Sequence, residues 1–170
     1  MTRTIVLTIL LLFSTALFAG DPPSKSPAGE GFEKLKSLTG TWKGATEEGK
    51  GLSLTYKVVS AGSTVMETNN SDMHKDGMIT MFHLDGDKLM MTHYCSIGNQ
   101  PRMMAAPMTA DGKLVFTFLD GTNMTPDDPH MHALTIMFHG KDRVTEEWTM
   151  RAGGKDQVHA MELTRVTKTK

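Results

Sequence analysis

The sequence predicts an all-β protein: one closed, ten-stranded antiparallel barrel with a short N-terminal helix. Three observations carry that prediction. From Gly40 onward, apolar and polar residues alternate in short runs, the period-two pattern of strands with one buried face. The runs are separated by connections such as EEGKG, SAGS, DGD, ADGK, HGKD and RAGGKDQ, several with Gly or Asp-Gly where a hairpin needs positive φ. No long helical pattern returns beyond residue 40. Ten neighbouring strands in a sheet of this size must curl, and closure removes the exposed edges that invite aggregation. A two-sheet sandwich would show similar alternation, so the barrel is an inference from strand number.

Residues 1–20, MTRTIVLTILLLFSTALFAG, place Arg3 ahead of an apolar run that ends in small residues, the layout of a secretory signal peptide. The apolar core is about half the ~20 residues that a bilayer-spanning helix requires. The expected location is therefore exported, periplasmic or extracellular, with no stable membrane insertion after cleavage. Residues 21–30, DPPSKSPAGE, read as a flexible linker, and residues 31–170 as the barrel domain. In GFEKLKSL, residues 31–38, Phe32, Leu35 and Leu38 recur at three-residue steps, which suits a short helix with one apolar edge.

Candidate strands occupy 41–46, 52–59, 64–68, 78–84, 89–95, 103–108, 114–119, 131–138, 143–150 and 158–166. Two connections, SIGNQPR (96–102) and DGTNMTPDDPH (120–130), are longer and read as mouth loops. Alternation assigns an inner face to Leu52, Leu54, Tyr56 and Val58, to Leu89, Met91, His93 and Cys95, to Leu114, Phe116 and Phe118, and to His130, His132, Leu134, Ile136 and Phe138.

Composition narrows the function classes. The 170 residues carry 18 Lys and Arg against 19 Asp and Glu, without the basic excess that binding a phosphate backbone needs, so nucleic acid is not an expected partner. Without residues 1–20 the chain has 17 bases and 19 acids, a net charge of −2. One Cys permits no internal disulfide, no four-Cys zinc site and no CxxC pair. The fifteen Met are spread over many strands rather than gathered in a Met-x-Met tract, which fits flexible core and pocket filling better than copper ligation.

Residues 32–44, FEKLKSLTGTWKG, resemble the opening of calycin barrels, where a short helix leads into a Gly-x-Trp strand whose Trp, here Trp42, packs across the closed end. Together with MFHLDGDKLMMTHYC, GNQPRM, DGTN and HMHALTIMF, the chain resembles a family of exported bacterial lipocalin-like proteins of unassigned function over nearly all of residues 31–168. It is distantly similar to fatty-acid-binding and nitrobindin-type haem barrels. The resemblance implies a calycin-like cavity that holds a small molecule, and it does not name the ligand. The Tyr-Pro segment that follows Gly-x-Trp-x-Gly in nitrobindin-type domains is absent, since Gly44 leads into ATEEGKG, and no single His takes the place of their haem ligand.

Several residues could carry chemistry. His130 and His132 lie two apart at the start of a strand, roughly 6.5 Å between Cα atoms, and share a face with Leu134 and Ile136. His93 and Cys95 share a face with Met91 in the same way. If both faces turn inward, three imidazoles and a thiol converge, a ligand set suited to zinc or copper. The alternative is polar residues rimming a pocket, with Met91, Phe116, Phe118, Leu134 and Ile136 as walls and His93, Arg102, His130 and His132 orienting the polar end. Arg102, beside Asn99 and Gln100, could fix a ligand carboxylate by paired hydrogen bonds, and Thr122 and Asn123 stand in the other loop. The competing reading of these loop residues is turn chemistry. Glu146 precedes Trp148 by two. If Trp148 is internal, Glu146 is a buried carboxylate in need of a partner, and the preferred reading is instead a register slip that leaves Glu146 and Glu147 near the rim. GxSxG, HExxH, Walker, GxGxxG and DxDxDG motifs are all absent. The first expectation is accordingly an exported barrel binding an apolar or amphipathic small molecule. The rivals are a metal or haem protein using His93, His130 and His132, an enzyme using the same cluster, and a filled barrel without a ligand.

Overall fold

The structure, a computed structural model, describes residues 26–46, 49, 51–71 and 74–167. The proposed leader and most of the proposed linker lie outside these residues. One helix, α1 (Pro27–Lys36), precedes ten strands: β1 (Gly40–Thr46), β2 (Gly51–Val59), β3 (Thr64–Ser71), β4 (His74–Asp85), β5 (Lys88–Tyr94), β6 (Gln100–Ala105), β7 (Lys113–Thr122), β8 (His130–Phe138), β9 (Arg143–Ala152) and β10 (Lys155–Arg165). Each strand pairs antiparallel with its sequence neighbours, and β1 also pairs with β10, closing the barrel. All ten expected strands are present, and the open sandwich is ruled out.

Two boundaries are corrected. The helix begins at Pro27, inside the stretch read as linker. Proline suits the first helical turn because its missing N–H would have no intrahelical partner there, and the Ser26 hydroxyl accepts from Gly29 N at 3.1 Å as the N-cap. Residues that composition assigns to a linker are thus a capped helix start. The second correction is at the mouth loops, whose edges join the sheet. Gln100, Pro101 and Arg102 pair with Thr122, Gly121 and Asp120, beyond an irregularity in the ladder next to Met103. Val58, expected inside, is 39% exposed near the end of β2.

The helix closes one end of the barrel. Phe32 and Leu35 from α1 join Leu38, Trp42, Leu89 and Leu114 in one buried cluster. Gly31 lets the helix approach this closely, since a Cβ there would lie 3.1 Å from Leu89 Cδ2 and 3.2 Å from Leu114 Cδ1. Trp42 donates its indole N–H to Leu38 O at 2.7 Å, and the Arg165 guanidinium lies over its ring at 4.2 Å. That guanidinium also donates to Thr39 O, Ser37 O and Lys141 O, stitching the last strand to the helix exit and to the β8–β9 turn.

Leu89 and Leu114 stand at the starts of β5 and β7, so α1 covers the end that carries the β4–β5 and β6–β7 turns. Antiparallel alternation then puts the β5–β6 and β7–β8 loops at the opposite end. The two loops are tied together there. Asn99 Nδ2 donates to Pro129 O at 2.8 Å, Asn123 Nδ2 donates to Gly98 O at 2.7 Å, and the Thr122 hydroxyl donates to Gln100 Oε1 at 2.8 Å.

Candidate functional site

The barrel interior is apolar at its base and polar at mid-height. Phe82, Met91, Met103, Phe116, Leu134 and Ile136 are fully buried, and the Phe82 and Phe116 rings meet at 5.5 Å. Among them runs a polar belt that follows from register. Tyr56 on β2 lies opposite Glu67 on β3, Glu67 opposite Thr80 on β4, and Thr80 opposite His93 on β5. Directly opposite residues share a sheet face, so one inward position places all four side chains in the interior as a row across four strands. All four are buried.

From β9, Glu146 completes this belt. It accepts a short hydrogen bond from the Tyr56 hydroxyl and a second, at 3.0 Å, from the Trp148 indole N–H. The expectation that Glu146 sits near the rim is therefore corrected. It is fully buried, and the partners that a buried carboxylate requires come from Tyr56 and from its own strand neighbour two residues on. Glu147 takes the opposite face, across from Ala160. The Trp148 ring in turn contacts the His93 ring at 4.7 Å.

Burial controls the charge of these groups. Glu67 is held well above the usual carboxylate range, first by desolvation and then by the neighbouring Glu146 carboxyl, against a lowering hydrogen bond from Tyr56. Desolvation likewise raises Glu146, opposed by its bonds from Tyr56 and Trp148, and keeps the Tyr56 phenol protonated. It lowers His93 to about 4, so this imidazole is neutral at physiological pH.

The belt is incompletely satisfied. Glu67 Oε2, Asn69 Oδ1 and His93 Nε2 are buried without a hydrogen-bond partner. Asn69 follows Glu67 by two on β3 and so shares its face, nearer the mouth. His93 Nδ1 is 3.0 Å from Thr80 Oγ1, which holds the ring while its other nitrogen is left over. A buried polar atom left unpaired costs about 1–3 kcal/mol. Three on the strands that flank β4 need an explanation.

A second cluster stands nearer the mouth. His130 Nδ1 donates to Asp128 O at 2.7 Å, since a carbonyl only accepts, and His130 Nε2 lies 3.1 Å from His132 Nδ1. Phe118 lies against both rings, at 4.6 Å from His130 and 5.3 Å from His132. The ladder to β9 steps from Met131 to Ala133, so His132 is the unpaired residue of a bulge. Burial and the nearby Arg151 lower the His132 pKa.

The expected site residues thus divide. Met91, Phe116, Leu134 and Ile136 are in the buried interior, Phe118 is half-buried at the mouth, and His93 and the His130–His132 pair belong to separate clusters. Cys95 is buried just past the end of β5, its backbone engaged by Asn99 and Gly98. Among the described residues no group of three or more His, Cys, Asp or Glu is placed to hold a metal ion, so the set His93, Cys95, His130 and His132 does not assemble as one. Arg102 is on the outer face, where it donates to both Asp120 carboxylate oxygens, the Nε bond at 2.6 Å.

Sequence reasoning missed Glu67, Asn69 and Thr80. Their only signal is alternation in TVMETNN and MITMFHL, where Val65 and Phe82 fix the inward parity and put polar residues on the buried face.

No protein-family profile matches the chain, and no curated protein matches it. Among solved structures it is similar to a protein of unknown function from the DUF3598 family of Nostoc punctiforme PCC 73102, with 13% identity and a TM-score of 0.54 over 78% of this chain. The match covers 49% of that protein, so this chain spans about half the length of its structural neighbour. The likeness is one of fold.

Proposed function

We propose that this protein is an exported barrel that binds a small molecule in its interior. The reading rests on one observation above all: three unpartnered polar atoms, Glu67 Oε2 and Asn69 Oδ1 on β3 and His93 Nε2 on β5, buried on the two strands that flank β4. A bound molecule offering complementary groups removes that penalty, while Phe82, Met91, Phe116, Leu134 and Ile136 supply apolar wall against which ligand carbon gains ~25 cal/mol per Å² of its own surface removed from water. The His130, His132 and Phe118 cluster lines the approach from the loop end. Calycin kinship belongs to the same proposal, and its support is the closed end, where the Gly-x-Trp indole is bound by Leu38 O and covered by Arg165.

The test is saturable binding of a neutral apolar fluorophore, Nile red, to the folded protein, together with mass spectrometry of molecules released on denaturing it. One-to-one binding that weakens about tenfold or more in Phe116→Ala is expected. A protein that releases nothing and takes up no probe defeats the reading. Export is tested separately by N-terminal sequencing of the protein from its own cells, where an intact leader on cytosolic material would refute it.

A further inference from the structure

The interior charge inventory narrows the ligand class. Among the described residues, the buried ionisable side chains are Tyr56, Glu67, Cys95, His93, His130 and Glu146, with no buried Lys or Arg. Among the described residues the guanidinium groups lie elsewhere: Arg102 with Asp120 and Arg151 with Asp156 on the surface, Arg143 exposed at the start of β9, and Arg165 at the closed end. A ligand carboxylate in the belt would be buried beside two carboxyl groups with no cation to offset its charge, and an uncompensated buried charge costs several kcal/mol. The guanidinium expected to fix such a carboxylate points the other way.

The unpartnered atoms favour the opposite polarity. Asn69 Oδ1 can only accept a hydrogen bond, and Glu67 Oε2 accepts whenever the carboxyl is ionised. His93 Nε2 is also an acceptor when its Nδ1–H donates to Thr80 Oγ1, an arrangement that the 3.0 Å contact allows. An alkylammonium carries three N–H donors and no acceptor, the complement of a set of acceptors. We infer that the site takes a small organic cation, an apolar body with a protonated amine head, held by Glu67, Asn69 and His93 and supported by Glu146 through Tyr56. This inference rests on the small-molecule reading above and adds the ligand's charge to it.

Proton balance gives a second readout. Burial holds the Glu67 carboxyl well above the usual carboxylate range, so an arriving R–NH3+ that ionises the protonated carboxyl releases one proton to solvent as the ammonium–carboxylate pair forms. The titratable groups facing Glu67 are Tyr56 from β2, Glu146 from β9 and, beyond Thr80 of β4, His93 from β5. Tyr56 stays protonated and His93 stays neutral from about pH 6 to 8, so the released proton comes from the carboxyl pair.

The experiment is competition against Nile red on the unmodified protein with three eight-carbon probes: n-octylamine, 1-octanol and octanoate. Octylamine should bind about tenfold or more tighter than octanol, and octanoate weakest. Octylamine affinity should rise between pH 6 and pH 8, with proton release seen as a dependence of the binding heat on buffer ionisation enthalpy. In Glu67→Gln the preference for amine over octanol should collapse. Equal or better binding of octanol or octanoate overturns the cation assignment and leaves the small-molecule reading standing. If no probe binds, both fall. The probe series needs no variant, so misfolding of Glu67→Gln does not decide the question.

Discussion

Burial gives the belt residues opposite pH signatures in stability. Glu67 has a folded-state pKa raised above its ordinary 4.5, so its contribution is fully present below about pH 4.5 and is lost as pH rises through the raised value. His93 is shifted the other way, from 6.5 to about 4, so its contribution is present above pH 6.5 and is lost as pH falls toward 4. That loss is worth roughly 3 kcal/mol, from the difference of the two pKa values. Glu67→Gln should therefore flatten the alkaline decline in stability, and His93→Gln the acid decline, both read as urea midpoints at pH 4, 6 and 8 with unchanged slope. A Glu67→Gln variant whose midpoint falls between pH 6 and 8 as steeply as the parent would refute the assignment. Arg102→Ala makes a contrasting case. Its ion pair with Asp120 is exposed, so probe affinity should be unchanged and the urea midpoint should barely move.

At the scale of elements, close approach explains residues that sequence reasoning treats as motif letters. Gly44, the second glycine of the Gly-x-Trp-x-Gly segment, faces β10, where a Cβ would run into the backbone carbonyl oxygen of Glu162. Gly44→Ala should cost about 2–3 kcal/mol in denaturant unfolding, because the obstructing atoms are β10 backbone rather than the end of a flexible side chain. In α1, Ser26→Ala removes the N-cap acceptor and should cost about 1 kcal/mol. The Gly153-Gly154 turn between β9 and β10 has both residues at positive φ, as a two-residue hairpin of that hand demands, which is why RAGGKDQ was readable as a turn. The start of α1 was less readable, since Pro, Ala and Gly signal a linker by composition and a helix start only once Ser26 is seen as a cap. Residues 100–102 were read as loop because Gly, Asn and Pro dominate their neighbourhood. Only the facing residues 120–122 turn them into strand.

For the whole molecule, closure depends on the two ends of the chain meeting. The β1–β10 ladder joins the first strand to the last, and Arg165 on β10 covers Trp42 while donating to carbonyls of the helix exit. Lysine cannot span these carbonyls and the indole face together, so Arg165→Lys should lower the unfolding free energy by about 1–2 kcal/mol and speed proteolysis at the helix end. Unchanged stability would mean that Trp42 and Leu38 close this end without it.

By itself the sequence determined the strand count, the turns, the apolar lining and the covering helix, because period-two alternation and turn chemistry are local properties of the chain. Tertiary structure alone decided which polar residues meet. Glu67, Thr80 and His93 lie thirteen residues apart in turn, and each is unremarkable in its own strand. They become a row only through the β3–β4 and β4–β5 registers, and Glu146 reaches Tyr56 across 90 residues because the sheet closes. Register and closure are set by the summed burial of every strand, so no single stretch of sequence carries them.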